Sequence, residues 1–424
     1  MPEPPTTYRT PEHQRLEQAR TGDAPWKAWG PYLSERQWGT VREDYSGNGD
    51  AWNYFTHEQS RSRAYRWGED GIAGVCDEHQ RLCLALALWN GADPILKERM
   101  FGLNNGEGNH GEDVKEYWFY LDSTPTHSYL KCQYKYPQRA FPYMDLISTN
   151  ARRGKLEMEY ELLDTGVFDE DRYFDVVVEY AKSAPDDILM LVTACNRGPD
   201  PATLHLLPTL WFRNTWSWGD DVAKPTITAI DDTVVRASHP ELGEWFLCVH
   251  ASSELLFCEN ETNSQRLFGT PNASPYPKDG VNDFVVNGVR GAVNPDRTGT
   301  KVAAQHVLEV PAGESIDIRI RLTAVDESAG DGGPAGKPLG AGFDKVMKAR
   351  RAEADQFYTA VMPDGLADDG KMVMRQALAG LLWGKQYYEY DVHRWLHEHG
   401  VDPWHTDAVT SGVRNFQWFH MVAG

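Results

Sequence analysis

Read from its apolar positions, the chain divides into a long stretch of strand-like runs and a shorter stretch with a helical period. DVVVEYAK (175–182), DILMLVTACN (187–196), ATLHLLPTLWF (202–212), TVVRAS (233–238), EWFLCVH (244–250), ELLFCE (254–259), KVAAQHVLEV (301–310) and SIDIRIRLTAV (315–325) are strand-length and rich in β-branched and aromatic residues. Several alternate apolar with polar positions, which predicts strands with one buried face. The segments SAPDD, NRGPDP, PNASPYPKDG and PAGE that separate them carry turn chemistry. Hairpin spacing of this kind predicts an antiparallel sandwich rather than βαβ units, and no fixed-period repeat is visible.

After residue 325 the pattern changes. DESAGDGGPAGKPLGAG (326–342) is too dense in Gly and Pro to hold a ladder or a helix and reads as a linker. FDKVMKARRAEADQFYTAV (343–361) is helical in pattern, and Asp368 can cap a long helix with Val373, Ala377, Leu381, Tyr388, Val392 and Trp395 at three- and four-residue spacing, ending at Gly400. Residues 1–25 are Pro-rich and polar, with one short helix over Pro11 to Arg20, and read as a poorly ordered tail. The expected units are a tail (1–25), a β-sandwich (26–325), a linker (326–342) and a helical segment (343–424).

A chain of 424 residues with 41% hydrophobic content can bury a sizeable core. Its net charge of -20 works against nucleic-acid and membrane partners, since both need clustered Lys and Arg. No secretory signal or membrane-length apolar run is evident, which suggests a cytoplasmic protein. The six cysteines lie scattered in apolar contexts without a CxxC pair, as expected of reduced core thiols rather than a zinc site or disulfide framework. The 15 Trp, 19 Tyr and 15 Phe make up 12% of the chain, and many of the tryptophans sit in polar surroundings. Such rings either fill a large core or stack on the C–H faces of sugars.

Most familiar motifs are absent or out of context. GEGNHG (106–111) matches GxGxxG but follows no hydrophobic strand, and there is no Walker A, GxSxG or HExxH. His393 and His397 lie one helical turn apart with no third ligand nearby, and neither DEDR (169–172) nor DGVND (279–283) has EF-hand spacing, so no metal and no organic cofactor is expected. Two clusters stand out. SERQWGTVREDYSGNGDAW (34–52) packs Trp38, Arg42 and Asp44 with other charges into a stretch without a period, either a solvated turn or a site shared with another surface. EGNHGEDVKEYWFYLDSTPTHSY (107–129) interleaves Lys115, Glu116 and Asp122 with four aromatics, which suits a ligand-facing strand or a domain interface. On the last helix, Trp383, Lys385, Gln386 and Tyr390 bring hydrogen-bonding ends to a packed segment, and those ends need partners.

ERQWGTVRE resembles the WGT-x-R signature near the N-terminus of glycoside hydrolase family 63. GNHGEDVKEYWFYLDSTPTHSY, LLDTGVFDEDRYFDV, LPTLWFRNTWSWG, LFCENETN and ALAGLLWGKQYYEYDVHRWL are similar to blocks of its bacterial, glucosidase-like branch, in the same order. The resemblance implies a mainly β fold: a large antiparallel super-β-sandwich, a helical linker, and the first helix or helices of an (α/α)6 barrel that is otherwise missing. The implied reaction is inverting hydrolysis of an α-glycosidic bond, which needs two carboxyl groups set apart by a water.

In that family both carboxylates come from the barrel, downstream of the W-x-KQ-x-Y helix, so no catalytic residue is assigned in this chain. What the resemblance carries over is sugar binding by Trp383 and Gln386, with Lys385 and Tyr387, while Trp38, Arg42 and Asp44 reach the same pocket from the sandwich. The expected partners are a carbohydrate ligand and a separate chain supplying the barrel. The competing readings are a non-catalytic carbohydrate-binding or assembly module and an enzyme whose carboxylates lie within these residues.

Overall fold

The alternation of apolar and polar residues resolves into two antiparallel sheets. The computed structural model describes residues 10–34, 56–64, 70–103, 113–218, 223–250, 254–324, 338–385, 387–391 and 420–423. In chain order these form α1 (Pro11–Thr21), β1 (Trp29–Tyr32), α2 (His57–Ser60), β2 (Ile72–Asp77), β3 (Leu82–Trp89), β4 (Gly102–Leu103), β5 (Asp113–Val114), β6 (Trp118–Ser123), β7 (Tyr129–Pro137) and α3 (Tyr143–Arg152). There follow β8 (Tyr173–Ala184), β9 (Asp187–Asn196), β10 (Ala202–Phe212), β11 (Thr226–Ala229), β12 (Val234–His239), β13 (Gly243–Cys248), β14 (Glu254–Cys258), α4 (Ser264–Phe268) and α5 (Gly280–Val285). The described chain closes with β15 (Thr298–Gly299), β16 (Lys301–Val310), β17 (Ser315–Thr323), α6 (Ala341–Val361), α7 (Asp368–Trp383), β18 (Tyr388–Asp391) and β19 (His420–Ala423).

A six-stranded sheet runs β1-β2-β3-β10-β16-β14 and a nine-stranded sheet runs β15-β11-β12-β13-β17-β9-β8-β7-β6. Their facing side chains form one core. Leu84, Leu86 and Leu88 of β3 and Leu204, Leu206 and Leu210 of β10 lie in the same cluster as Val176 and Val178 of β8, Met190 and Val192 of β9, and Ile318, Ile320 and Leu322 of β17. Each such side chain contributes roughly 1.5–3 kcal/mol relative to exposure. The intervening positions of β17 turn outward, where Arg321 forms a two-pronged bond to Asp187 at 2.7 and 2.8 Å. The mainly β character expected from the sequence is therefore present: each of the eight runs read as strands overlaps a strand, and four of them lie wholly within one.

Pro208 sits inside β10, a central strand, although proline lacks the N–H a ladder needs. The pairing with β16 is interrupted between Leu206↔His306 and Thr209↔Ala303 while the register is kept, and the β3 side stays continuous through Pro208↔Leu86. Five of the six cysteines are buried and Cys195 is half-buried; all are free thiols. No helix among the described residues is long and apolar enough to cross a membrane.

Three sequence expectations need correction. Residues 10–25 are not a loose tail: α1 is docked, with the Glu12 carboxylate accepting from the Thr126 amide and hydroxyl at 2.7 Å each and from the Ser128 hydroxyl at 2.7 Å. The helix expected to run from Asp368 to Gly400 ends at Trp383, and Tyr388–Asp391 pairs instead with His420–Ala423 as a two-stranded sheet. Gly384 interrupts the helix, and the run YYEYDV has the aromatic and β-branched character of a strand. Finally, α6 begins at Ala341, inside the expected linker, whose residues 326–337 lie outside the described residues.

Candidate functional site

The nine-stranded sheet ends at β6, and an open sheet edge must be covered or blunted. Here α7 covers it. Between Tyr120 and Asp122 the β6–β7 register shifts, leaving Leu121 as the extra residue of a bulge. A bulge re-aims side chains, and Asp122 lies next to α7, where its backbone carbonyl accepts from the Trp383 indole N–H at 3.0 Å. The Trp383 ring stacks on Tyr120 with centroids 5.4 Å apart and planes 21° apart. On α6, Tyr358 donates its hydroxyl to the Ser123 carbonyl at 2.5 Å. The two helices are thereby seated on the sandwich by three aromatic side chains.

Beside this seam lies a cleft of about 520 Å³, lined by Leu121 and Asp122 of β6, Tyr129 and Lys131 of β7, Glu179 of β8, Arg351 and Asp355 of α6, and Arg375 of α7. Arg351 and Asp355 are four residues apart and so share a helix face. Arg351 grips Glu179 through two bonds of 2.8 and 2.6 Å, and the Tyr129 hydroxyl donates to the same carboxylate. Arg375 bonds Asp355 at 2.7 Å and also Asp122. Three acidic and three basic side chains therefore surround one polar space.

The electrostatics separate its carboxyl groups. Burial pushes Asp122 above the ordinary aspartate range, against the pull of Arg375. Burial acts on Glu179 in the same sense, but the Arg351 guanidinium and the Tyr129 hydroxyl overcome it and hold that carboxyl below its usual value. Two enclosed atoms in the arrangement lack hydrogen-bond partners among the described residues, Oδ1 of Asp122 and Nε of Arg375. An unmatched acceptor and an unmatched donor on two residues lining one cleft suit a group that can both give and take a hydrogen bond, such as a hydroxyl.

The residues expected to bind sugar are distributed differently. Trp383 is fully buried, and its ring holds α7 on the sandwich. Lys385 is exposed just past the helix end. Tyr387 is half-buried, with the Arg213 guanidinium 5.5 Å from its ring centroid and the His79 ring edge-on at 6.3 Å. Trp38, Arg42, Asp44 and Gln386 lie outside the described residues. In the 107–129 cluster, Asp122 and Tyr120 belong to the helix–sandwich interface. Glu116 is enclosed, with Lys97 at 2.5 Å, the Tyr134 hydroxyl at 2.6 Å and the Phe101 amide at 2.9 Å.

Sequence reasoning missed Glu179, Arg351, Asp355 and Arg375. Glu179 interrupts the apolar and aromatic run VVVEYA, and the α6 pair Arg351 and Asp355 keeps i,i+4 spacing; both were available signals, but the sequence does not say which strand faces which helix. Among the described residues, no cluster of three or more His, Cys, Asp and Glu side chains is arranged to hold a metal ion.

No protein-family profile matches the chain. It is 38% identical over 464 aligned positions to the uncharacterized protein YMR196W of Saccharomyces cerevisiae, an alignment that takes in 97% of this chain and 41% of that protein. The chain thus spans about two fifths of the length of the curated relative it matches. Among solved structures, it is similar to a putative kojibiose phosphorylase from the human microbiome at TM-score 0.25, with 8% identity, over 86% of this chain and 38% of the other. The family GH92 inverting mannosidase of Bacteroides thetaiotaomicron gives TM-score 0.23 and 11% identity, over 69% and 37% of the two chains. The Slr1438 protein of Synechocystis gives 0.21 and 8%, over 54% and 66%. Overlays this partial carry no argument about fold or activity.

Proposed function

We propose that this chain is the sandwich and leading-helix portion of an inverting α-glycosidase acting on α-glucosides or related oligosaccharides, with the cleft between β6, α6 and α7 binding the polyhydroxylated ligand. The observation that carries the reading is the cleft itself: alternating carboxylates and guanidinium groups around a polar space of about 520 Å³, with Asp122 Oδ1 and Arg375 Nε unmatched. A sugar hydroxyl that donates to the first and accepts from the second completes both. Leaving such groups unpaired costs about 1–3 kcal/mol each, which a bound hydroxyl recovers in part. The sequence blocks that resemble glycoside hydrolase family 63 support the reaction class. The acid and base carboxyls are proposed to come from elsewhere, and about three fifths of the yeast relative's length lies outside the match.

A second reading, a non-catalytic carbohydrate-binding module, is favoured by one feature: each carboxylate of the cleft is engaged by an arginine, Asp122 and Asp355 by Arg375 and Glu179 by Arg351. A carboxylate held in an ion pair is a poor general base.

Titration calorimetry with methyl α-glucoside, methyl α-mannoside and α-linked disaccharides tests the ligand class, with hydrolysis followed in the same samples. Binding that falls at least tenfold in Arg375→Met and in Asp122→Asn, in proteins whose unfolding midpoints stay close to the parent, is the expected result. Absence of sugar binding in the folded chain sinks the proposal. Binding without turnover fits both readings of the chain taken alone, and turnover by the chain itself contradicts the assignment of its carboxyls to other residues.

A further inference from the structure

The cleft has a neighbour. A second cavity of about 520 Å³ shares the Asp355 and Arg375 side chains with it as common walls. It lies at the turn from α6 into α7: Asp355, Tyr358 and Thr359 come from the end of α6, Met362, Pro363 and Asp364 from the connection, and Lys371, Met372 and Arg375 from the start of α7. Lys371 and Met372 stand four and three residues before Arg375 and so share its helix face. The common wall is fixed in place. The Arg375 guanidinium lies 4.7 Å from the Tyr358 ring centroid and is bonded to Asp355 at 2.7 Å and to Asp122.

The second cavity has two kinds of surface. Met362, Pro363 and Met372 give it an apolar side, and Met372 is 53% exposed. A thioether is an adaptable surface for C–H groups. Asp364 brings an acceptor and Lys371 a donor, and the Thr359 hydroxyl, which donates to the Asp355 carbonyl at 2.8 Å, keeps lone pairs free to accept. Apolar groups interleaved with donors and acceptors match a pyranose, which has C–H faces and a rim of hydroxyls. The charges select as well. To the three acidic and three basic side chains of the cleft, the second cavity adds one of each, Asp364 and Lys371. Balanced walls in a chain of net charge -20 favour neither an anion nor a cation.

We infer that the ligand of the cleft is an uncharged oligosaccharide of at least two sugar units, the first in the space lined by Asp122 and Arg375 and the second against Met362 and Met372, with its hydroxyls on Asp364 and Lys371. The inference rests on the sugar-binding reading of the cleft and adds the ligand's length and charge.

Titration calorimetry of the whole chain with five kinds of group on the α-anomeric oxygen of glucose tests it: methyl, phenyl, phosphate, 2-aminoethyl and a second glucose, the last as kojibiose, nigerose, maltose and isomaltose. The tightest disaccharide is expected to exceed methyl α-glucoside about tenfold in affinity, and to exceed the phenyl, phosphate and aminoethyl compounds also. Met372→Asp and Lys371→Met are each expected to cut that advantage to about threefold or less, with unfolding midpoints close to the parent because both positions reach solvent. Methyl α-glucoside that binds as tightly as every disaccharide overturns this inference and leaves the sugar-binding reading standing; absence of all sugar binding overturns both. A phenyl or charged glucoside that binds more tightly than the disaccharides, or an advantage undiminished in both variants, overturns the inference as well.

Discussion

The indole N–H of Trp383 and the backbone carbonyl of Asp122 meet at 3.0 Å, and through that bond the last turn of α7 is fastened to the bulged edge strand β6. The bond lies in a fully buried setting with Tyr120 stacked on the same ring. Trp383→Ala removes both and leaves a cavity, a change that costs about 3–5 kcal/mol. Trp383→Phe keeps a ring and leaves the carbonyl unmatched, at about 1–3 kcal/mol. Urea unfolding measures both, and hydrogen exchange of α7 amides is expected to rise before that of β8 and β9.

Lys97 and Glu116 form an ion pair with no exposed side-chain surface. Lys97→Met leaves an unpaired buried carboxylate and is expected to cost about 3–5 kcal/mol. Adding Glu116→Gln removes the stranded charge, so the double variant is expected to be more stable than Lys97→Met alone. Equilibrium denaturation of the three proteins checks the order.

The acid limb of stability follows from Glu179. Its carboxyl is held below the ordinary glutamate range in the folded protein, so the folded state binds protons less readily than the unfolded one. The contribution is fully present above the unfolded carboxyl's pKa of about 4.3 and is lost as pH falls through the folded value. Arg351→Leu releases that hold. Its stability is expected to fall by about 1–3 kcal/mol near neutral pH and to depend less steeply on pH between 5 and 3, as read from thermal unfolding at stepped pH.

Two glycines separate strain from crowding. Gly71 has φ +104° and an added Cβ would meet the Ala85 methyl at 2.4 Å, whereas Gly91 has φ +78° with nothing within 4 Å. Gly91→Ala carries only the left-handed backbone penalty, about 1 kcal/mol. Gly71→Ala adds a clash inside the β2–β3 packing and is expected to be clearly the more destabilising of the two by calorimetry.

Much of this architecture was legible in the sequence because a strand pattern has a period of two and turn residues have their own chemistry. DILMLVTACN and KVAAQHVLEV became strands with the limits read from the sequence. The α7 boundary was not legible: LLWGKQYYEYDV keeps apolar residues at helical spacing past Gly384, and only the pairing of Tyr388–Asp391 with His420–Ala423 selects the strand. The 107–129 cluster was correctly singled out as polar and aromatic together, yet its partners on α6 and α7 are more than two hundred residues away. Long-range pairing of this kind leaves no local trace, which is why Arg351 and Arg375 were overlooked. Tail residues 10–25 were misread for the same reason, since the acceptor role of Glu12 depends on Thr126 and Ser128.

Sugar hydroxyls are proposed to enter the cleft lined by Asp122 and Arg375. Hydrogen exchange of the intact chain, with and without saturating methyl α-glucoside or an α-linked disaccharide that calorimetry has shown to bind, locates the ligand directly. Added protection confined to β6, the facing turn of α6 around Arg351 and Asp355, and α7 around Arg375 is the predicted result. Protection that appears elsewhere and leaves these three segments unchanged would contradict it.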